Sequence, residues 1–204
     1  DFTYYYNTTK NQAMLVDASS PWTQQWVNAG KINNTGVEFM LYGTPVKTRD
    51  FQFDITANLA HNRSTVKELA DGVNRVYFAG DSNMPVKVGA VKGGKLGDIF
   101  ANNLMQRDAQ GRVIIGDDGL PMAATGDGNL EQYLLDHPIG NIQPDLLMSI
   151  TPTFTYKGIA LTAMFDMKFG GDIVSVSEGM ATSVGTSERT AYRGEYKTVN
   201  GVQD

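Results

Sequence analysis

The chain has 204 residues, of which 41% are apolar, and it carries a formal net charge of -5 with no cysteine. The acidic balance argues against a nucleic-acid partner, and the absence of cysteine excludes disulfides and thiolate metal sites. Two histidines in different contexts, His61 and His137, offer little for a histidine-based site. No apolar run approaches the roughly 18 residues that a membrane-spanning helix needs.

The N-terminal part of the chain predicts one strand region followed by a loop. Residues 2–16 are rich in aromatic and apolar side chains, with a polar break at 7–11. Residues 17–35 are rich in Ser, Pro, Gln, Asn and Gly, a composition typical of loops. The first region therefore predicts a strand that a polar break divides, and the second predicts a long connection.

Two further strand regions follow, joined by a short turn. Residues 36–45 alternate between apolar and other side chains, and the turn at 43–50 leads into a second alternating segment, 51–62. The second is the cleaner, because a large or small apolar side chain occupies every odd position from Phe51 to Leu59. Such period-2 alternation predicts strands with one apolar and one polar face.

Residues 61–144 lack sustained periodicity and are too many for a simple connection, so we expect this stretch to have a function or its own structure. Within it, 86–91 and 112–115 predict short strands. The acidic residues Asp117, Asp118 and Asp127 do not have the spacing of a calcium-binding loop, so no metal site is predicted.

The most informative stretch is 145–172, which predicts a long hairpin. With Lys157-Gly158 as a two-residue turn, apolar residues face apolar residues across the two arms. The opposite face is mostly small, hydroxylic or charged, and each arm has the length of a bilayer-crossing strand, roughly 9 to 11 residues. Pro152 cannot donate to the ladder, so we expect a bulge or weakened pairing there. The predicted apolar pairs are Tyr156 with Ile159, Phe154 with Leu161, Ile150 with Phe165 and Met148 with Met167.

These patterns predict an all-β fold that forms part of an antiparallel transmembrane β-barrel with long extracellular loops. The strand regions are 2–16, 36–45, 51–62, 145–156 and 159–170, and the extracellular loops are 17–35, 61–144 and 173–204. Residues expected to face lipid are Phe51, Phe53, Ile55, Leu59, Phe154, Leu161, Phe165 and Met167. Residues expected to face the lumen are Asp54, Asn58, Thr153, Thr162 and Asp166.

Several short motifs make the sequence resemble the SusC/RagA-type TonB-dependent transporters of Gram-negative outer membranes. They occur in family order and cover most of the predicted strands. The motifs are Asn28-Ala29-Gly30-Lys31-Ile32-Asn33-Asn34-Thr35-Gly36-Val37-Glu38, Gly43-Thr44-Pro45-Val46-Lys47-Thr48 with Asp50-Phe51 and Asp54, Asn62-Arg63-Ser64-Thr65-Val66, and Thr155-Tyr156-Lys157-Gly158 with Phe169-Gly170-Gly171-Asp172-Ile173.

The resemblance implies a barrel of about 22 strands that encloses an N-terminal plug and is opened by the TonB complex. It also implies a SusD-like surface lipoprotein as partner, an oligosaccharide or peptide as substrate, and a location in the outer membrane in contact with its lipid. No enzymatic activity, catalytic residue, metal or cofactor is implied. The chain reads as an internal barrel segment without the plug and the TonB-contacting part, and alone we expect it to be neither stable nor functional.

Two alternatives remain open at this stage. A soluble all-β carbohydrate-binding or adhesion module would also have alternating strands, but a second sheet would cover its apolar faces. A hydrolase would need two carboxylates roughly 5 to 10 Å apart. Its candidates, Glu38, Asp54 and Asp166, lie in predicted strands without an acid-base motif, so lumen polarity is the plainer interpretation.

Overall fold

A computed structural model describes residues 1–17, 24–28, 30–79, 85–191, 194–195 and 200–203. Parts of the predicted loops 17–35, 61–144 and 173–204 therefore lie outside the described residues. Neither α-helix in the described part of the chain has the length and apolar character needed to cross a bilayer. The helices are α1 Leu130–Asp136 and α2 Val176–Val184; the strands are β1 Phe2–Lys10, β2 Ala13–Asp17, β3 Gln24–Asn28, β4 Lys31–Lys47, β5 Phe51–Glu68, β6 Arg75–Ala79, β7 Val86–Val91, β8 Asp98–Ala101, β9 Val113–Ile115, β10 Gly140–Asn141, β11 Leu146–Tyr156, β12 Ile159–Thr162, β13 Phe165–Phe169 and β14 Gly201–Gln203.

The chain forms two compact units. Unit 1 comprises 1–76, 90–97 and 141–172, and unit 2 comprises 77–89, 98–140 and 173–204. Unit 1 contains the main sheet, in which β1, β4, β5, β11 and β12 follow one another and β13 also pairs with β11. Every pairing in this sheet is antiparallel, which confirms the predicted fold class at the level of the sheet.

The predicted hairpin register is confirmed. Tyr156 pairs with Ile159 and Phe154 with Leu161, and Ile150 pairs with Phe165 further along. The second arm is interrupted opposite Pro152, since β12 ends at Thr162 and β13 begins at Phe165. Across the gap the Ala163 N–H donates to the Pro152 carbonyl at 3.2 Å. The weakened pairing expected from proline is therefore present.

The strands of the first part are longer than the sequence predicts. β4 begins at Lys31 rather than at 36, and β5 runs to Glu68 rather than ending at 62. β1 continues through most of the predicted break, and the strand stops at Asn11, whose φ of 55° does not fit a strand. Polar residues occupy these extensions, so alternation of apolar side chains could not reveal them, whereas antiparallel pairing among β1, β4 and β5 holds them.

Two other predicted connections also contain strand. β3 lies within the predicted loop 17–35 and pairs with β2. The predicted turn at 43–50 is shorter than expected, because β4 continues to Lys47 with a bulge between Gly43 and Val46. Pro45 lies in this bulge, where a missing N–H does not interrupt a regular ladder.

Unit 2 consists of short elements. β7 pairs with β8 antiparallel and β9 pairs with β14 parallel. The predicted strands at 86–91 and 112–115 are observed as β7 and β9. Apolar side chains form a small core in this unit, with Ile99 2% and Phe100 3% exposed. The described residues of 61–144 thus form strands and a helix of their own, as the length of that stretch predicts.

Candidate functional site

The candidate functional site is the pair of faces of the unit-1 sheet. Registered neighbours form rows that cross the strands, and the rows alternate between faces. One row is entirely apolar: Phe2, Phe39, Leu59, Met148 and Met167 follow one another across the sheet. The next row presents Met40, Asn58, Ser149 and Asp166 on the opposite face. The sheet therefore has one apolar face and one mostly polar face.

The large side chains of the apolar face are accessible to the surroundings. Leu41 is 52%, Leu161 68% and Phe165 57% exposed. Ile55 and Leu59, on a central strand, are half-buried between their neighbours. A monomeric soluble protein seldom exposes a broad contiguous apolar surface of this kind.

Aromatic residues concentrate at the end of the apolar face next to the two short turns. The Phe53 and Phe154 rings are stacked, with centroids 4.8 Å apart and planes inclined by 15°. Phe51 pairs with Tyr156 one row closer to the turns, and the Lys157 ammonium lies 5.4 Å from the Tyr156 ring centroid. This group has the composition of the aromatic belt that marks a membrane interface.

The height of the apolar face fits a bilayer. From Phe51 to His61 the strand advances ten residues, which corresponds to roughly 33 Å along its axis. For a strand tilted by about 40° the projected height is roughly 25 Å, the height of the lipid-facing band of a membrane barrel. Tyr4 and Val37 share a row with His61, so a second aromatic level begins at this end.

The polar face holds its side chains in short hydrogen-bonded groups. The Asn58 amide donates to the Ser149 hydroxyl at 3.1 Å. Thr153 and Thr162, directly paired, have hydroxyl oxygens 3.0 Å apart. Each group links two neighbouring strands through polar side chains that water can also reach.

All five residues predicted to face the lumen lie on this polar face. They occupy two rows, one with Asp54, Thr153 and Thr162 and one with Asn58 and Asp166. The rows are four residues apart along β5, which corresponds to roughly 13 Å. The structure thus places the five on one face without gathering them into a single cluster.

Sequence reasoning missed the partners of Asp54. The Thr44 hydroxyl donates to one oxygen of its carboxylate at 2.6 Å, and the Gln52 amide donates to the other at 2.8 Å. Thr44 lies within the predicted turn 43–50, and its contact with Asp54 depends on the β4 bulge. The Gly-Thr-Pro sequence signals an irregularity but does not specify where the hydroxyl points.

A second group lies nearer the other end of the same face. The Tyr5 hydroxyl donates to the side-chain oxygen Oδ1 of Asn62 at 3.0 Å, and the side-chain nitrogen Nδ2 of Asn62 donates to the Ser64 hydroxyl at 3.1 Å. The Ser64 hydroxyl in turn donates to Asn34 at 2.6 Å. Asn34 and Ser64 lie in the polar strand extensions, where the sequence predicts loop, so only the strand pairing could identify this series of hydrogen bonds.

The carboxylates considered for hydrolysis do not come together. Glu38 and Asp166 lie on strands three positions apart in the sheet, a lateral separation of roughly 14 Å. Asp54 is two rows of this face from Asp166 and three rows from Glu38. No pair among the three has the separation that glycoside hydrolysis requires. Among the described residues no group of three His, Asp or Glu could hold a metal ion.

The chain is similar in sequence to two TonB-dependent receptors. It is 28% identical over 154 residues to the TonB-dependent receptor SusC of Bacteroides thetaiotaomicron, covering 72% of this chain and 14% of that protein. It is 23% identical over 190 residues to the TonB-dependent receptor P3 of Formosa agariphila, covering 86% of this chain and 19% of that protein. The chain thus spans less than a fifth of the length of these relatives, and no family model matches it.

Solved structures of a peptide importer share the fold of this chain over most of its length. The closed-closed state of the RagAB peptide importer matches 83% of this chain and 19% of the other chain, with a TM-score of 0.55 and 22% identity. The open-open state matches 83% and 18%, with a TM-score of 0.54 and 23% identity. These proteins are receptors and transporters rather than enzymes. The resemblance to SusC/RagA-type TonB-dependent transporters predicted from the motifs is confirmed over the matched part of the chain.

Proposed function

We propose that this chain is part of the wall of an importer in the outer membrane of a Gram-negative bacterium. In this proposal the apolar face of the unit-1 sheet contacts lipid and the polar face lines the lumen. The observation that carries it is the two-faced antiparallel sheet, whose apolar band is roughly 25 Å high and bounded by aromatic residues. The similarity to TonB-dependent receptors supports the same function.

The exposure of the apolar face favours this function over a soluble carbohydrate-binding or adhesion module. A soluble sandwich buries the inner faces of its sheets against each other, at a spacing of about 10 Å. Leu161 and Phe165, by contrast, are more than half exposed. Contact with lipid tails would remove such apolar side chains from water.

Transport in this proposal uses energy from the TonB complex, contacted through parts outside this chain, and a SusD-like surface lipoprotein as partner. The substrate class is oligosaccharide or peptide. Support comes from relatives described as TonB-dependent receptors and from a structural neighbour described as a peptide importer. The residues proposed to face the lumen are Asp54, Asn58, Thr153, Thr162 and Asp166.

We also propose that the loops 17–35, 61–144 and 173–204 are extracellular and that the turns before Phe51 and at Lys157-Gly158 are periplasmic. Outer-membrane barrels have short turns on the periplasmic side and longer loops outside. The sheet supports this direction, because both short turns join neighbouring antiparallel strands at the same end.

Neighbouring substitutions test the orientation of the wall in the full-length protein. Ile55→Arg would place a charge on the proposed lipid face near the middle of the band, at an expected cost of about 2 to 4 kcal/mol. Thr56→Arg places the same charge on the polar face and should cost much less. The measurement is the free energy of folding into lipid vesicles. Equal tolerance of the two arginines would overturn the orientation.

Cysteine labelling tests the sidedness. Ala109 is exposed and lies in the proposed extracellular loop 61–144, so Ala109→Cys should react with an impermeant thiol reagent on intact cells. Lys157→Cys, at the proposed periplasmic turn, should react only after the outer membrane is permeabilised. Labelling at 157 but not at 109 on intact cells would reverse the assignment.

A further inference from the structure

A polar pocket of about 620 Å³ lies at the end of the unit-1 sheet that is remote from the short turns. Three lysines line it: Lys10, Lys31 and Lys67, here called the upper lysine cluster. Glu68 also lines the pocket. Nothing in the proposed import pathway uses these residues.

Strand parity places this pocket on the apolar-face side of the sheet. Lys10 alternates in phase with Phe2, Tyr4 and Tyr6 along β1, and Lys31 alternates in phase with Val37 along β4. Lys10 is four residues beyond Tyr6, which corresponds to roughly 10 Å of height for a tilted strand. The lysines therefore follow the aromatic level in the order expected for the edge of a bilayer.

The floor of the pocket is fixed by a buried amide. Asn33 is 8% exposed, and its amide nitrogen donates to the Tyr6 hydroxyl. The Thr8 hydroxyl donates to the side-chain oxygen Oδ1 of Asn33 at 3.1 Å. Tyr6 thus has its ring on the apolar face and its hydroxyl bound on the side of the lysines, as expected at a membrane interface.

The charge of the pocket is positive, although the whole chain has a net charge of -5. Lys31 forms an ion pair with Glu68 at 3.3 Å. The side chains of Lys10 and Lys67 are exposed and form no ion pair or hydrogen bond with the described residues. Three lysines and one glutamate leave a net charge of +2, and Arg63, in the same row as Tyr6, adds a further cation.

We propose that the upper lysine cluster binds the phosphate group of an anionic lipid in the outer leaflet. This inference depends on the proposed wall function, because it requires the apolar face to contact lipid. Ammonium groups form charge-assisted hydrogen bonds with phosphate oxygens, and basic clusters next to the hydrocarbon region attract anionic head groups. Lys10 and Lys67 supply the available charge, while Glu68 reduces it and holds Lys31.

The test compares charge-matched double variants of the full-length transporter in detergent. Lys10→Gln/Lys67→Gln removes two lysines at the proposed site, and Lys47→Gln/Lys157→Gln removes two at the short turns. Binding of diphosphoryl lipid A and of an uncharged glycolipid is measured by native mass spectrometry. We expect the first variant to bind diphosphoryl lipid A on the order of 30-fold more weakly than the parent, and the second to bind it as the parent does.

A third variant should change the affinity for diphosphoryl lipid A in the opposite direction. Glu68→Gln removes the negative charge and releases Lys31, so we expect tighter binding of diphosphoryl lipid A, which local unfolding would not produce. Equal loss in both double variants, equal binding of the uncharged glycolipid, or competition by millimolar inorganic phosphate would each overturn the lipid site. Outer-membrane fractionation of the same variants separates the hypotheses, since a transporter that is absent from the outer membrane contradicts the wall function itself.

Discussion

In unit 1 the large apolar side chains lie on an accessible face of the sheet, whereas in unit 2 a group of them is buried. Leu161 in the wall is 68% exposed, and Ile99 in unit 2 is 2% exposed. Both units are built from strands of one acidic chain, so composition does not explain the difference. The proposed function accounts for the difference by two surroundings: lipid solvates one face of the unit-1 sheet, and unit 2 buries its core away from water.

The longest strands of the unit-1 sheet are also longer than those of unit 2. β4 and β5 have 17 and 18 residues, whereas β8 and β9 have four and three. In the proposed function, a wall strand must cross the band of roughly 25 Å and keep its N–H and C=O groups paired throughout. Short strands in unit 2 need no such reach, because water can satisfy the groups that they leave unpaired.

The comparison predicts a large difference between two truncations. Ile99→Ala removes a fully buried side chain from unit 2 and should destabilise that unit by about 2 to 5 kcal/mol. Leu161→Ala removes an exposed side chain from the wall, where lipid tails replace the lost contacts, so its cost should be below about 1 kcal/mol. Hydrogen exchange of the full-length protein in lipid vesicles, read separately for the two units, measures both effects.

Ile173→Ala supplies the control within unit 2. Ile173 is 93% exposed, so its truncation should leave the exchange of that unit unchanged. If Leu161→Ala proved as costly as Ile99→Ala, the wall would bury its apolar face against protein. That result would favour the soluble-module alternative.

The wall could be predicted from sequence where its two faces differ in polarity. The registers of the 145–172 hairpin and the gap opposite Pro152 follow from alternation, a turn and a missing N–H, all of which are local properties. The placement of Asp54 and Asn58 on the polar face could also be predicted from the sequence, because strand parity alone determines it. Its role as a lumen lining stays a prediction.

Other features depend on distant pairing and could not be predicted. Strand extensions such as Lys31–Thr35 have polar residues on both faces, so periodicity gives no signal there. The contact of Thr44 with Asp54 requires a bulge whose position is set by the partner strand. The small core around Ile99 joins segments that are short and far apart in sequence, which no local pattern specifies.

A smaller effect is expected from alanine substitutions at two glycines in β4. They test whether side-chain packing on the polar face stabilises the unit-1 sheet. A Cβ at Gly36 would lie 2.3 Å from the Tyr5 ring and 2.5 Å from the His61 carbonyl oxygen, so Tyr5 packs directly over this glycine. Gly36→Ala should displace Tyr5, break its bond to Asn62 and cost about 1 to 3 kcal/mol. Gly43→Ala is the matched control, because nothing lies within 4 Å of its added Cβ. Urea unfolding of the full-length protein in vesicles gives both values, and equal stability of the two variants would mean that Tyr5 does not hold β1 against β4.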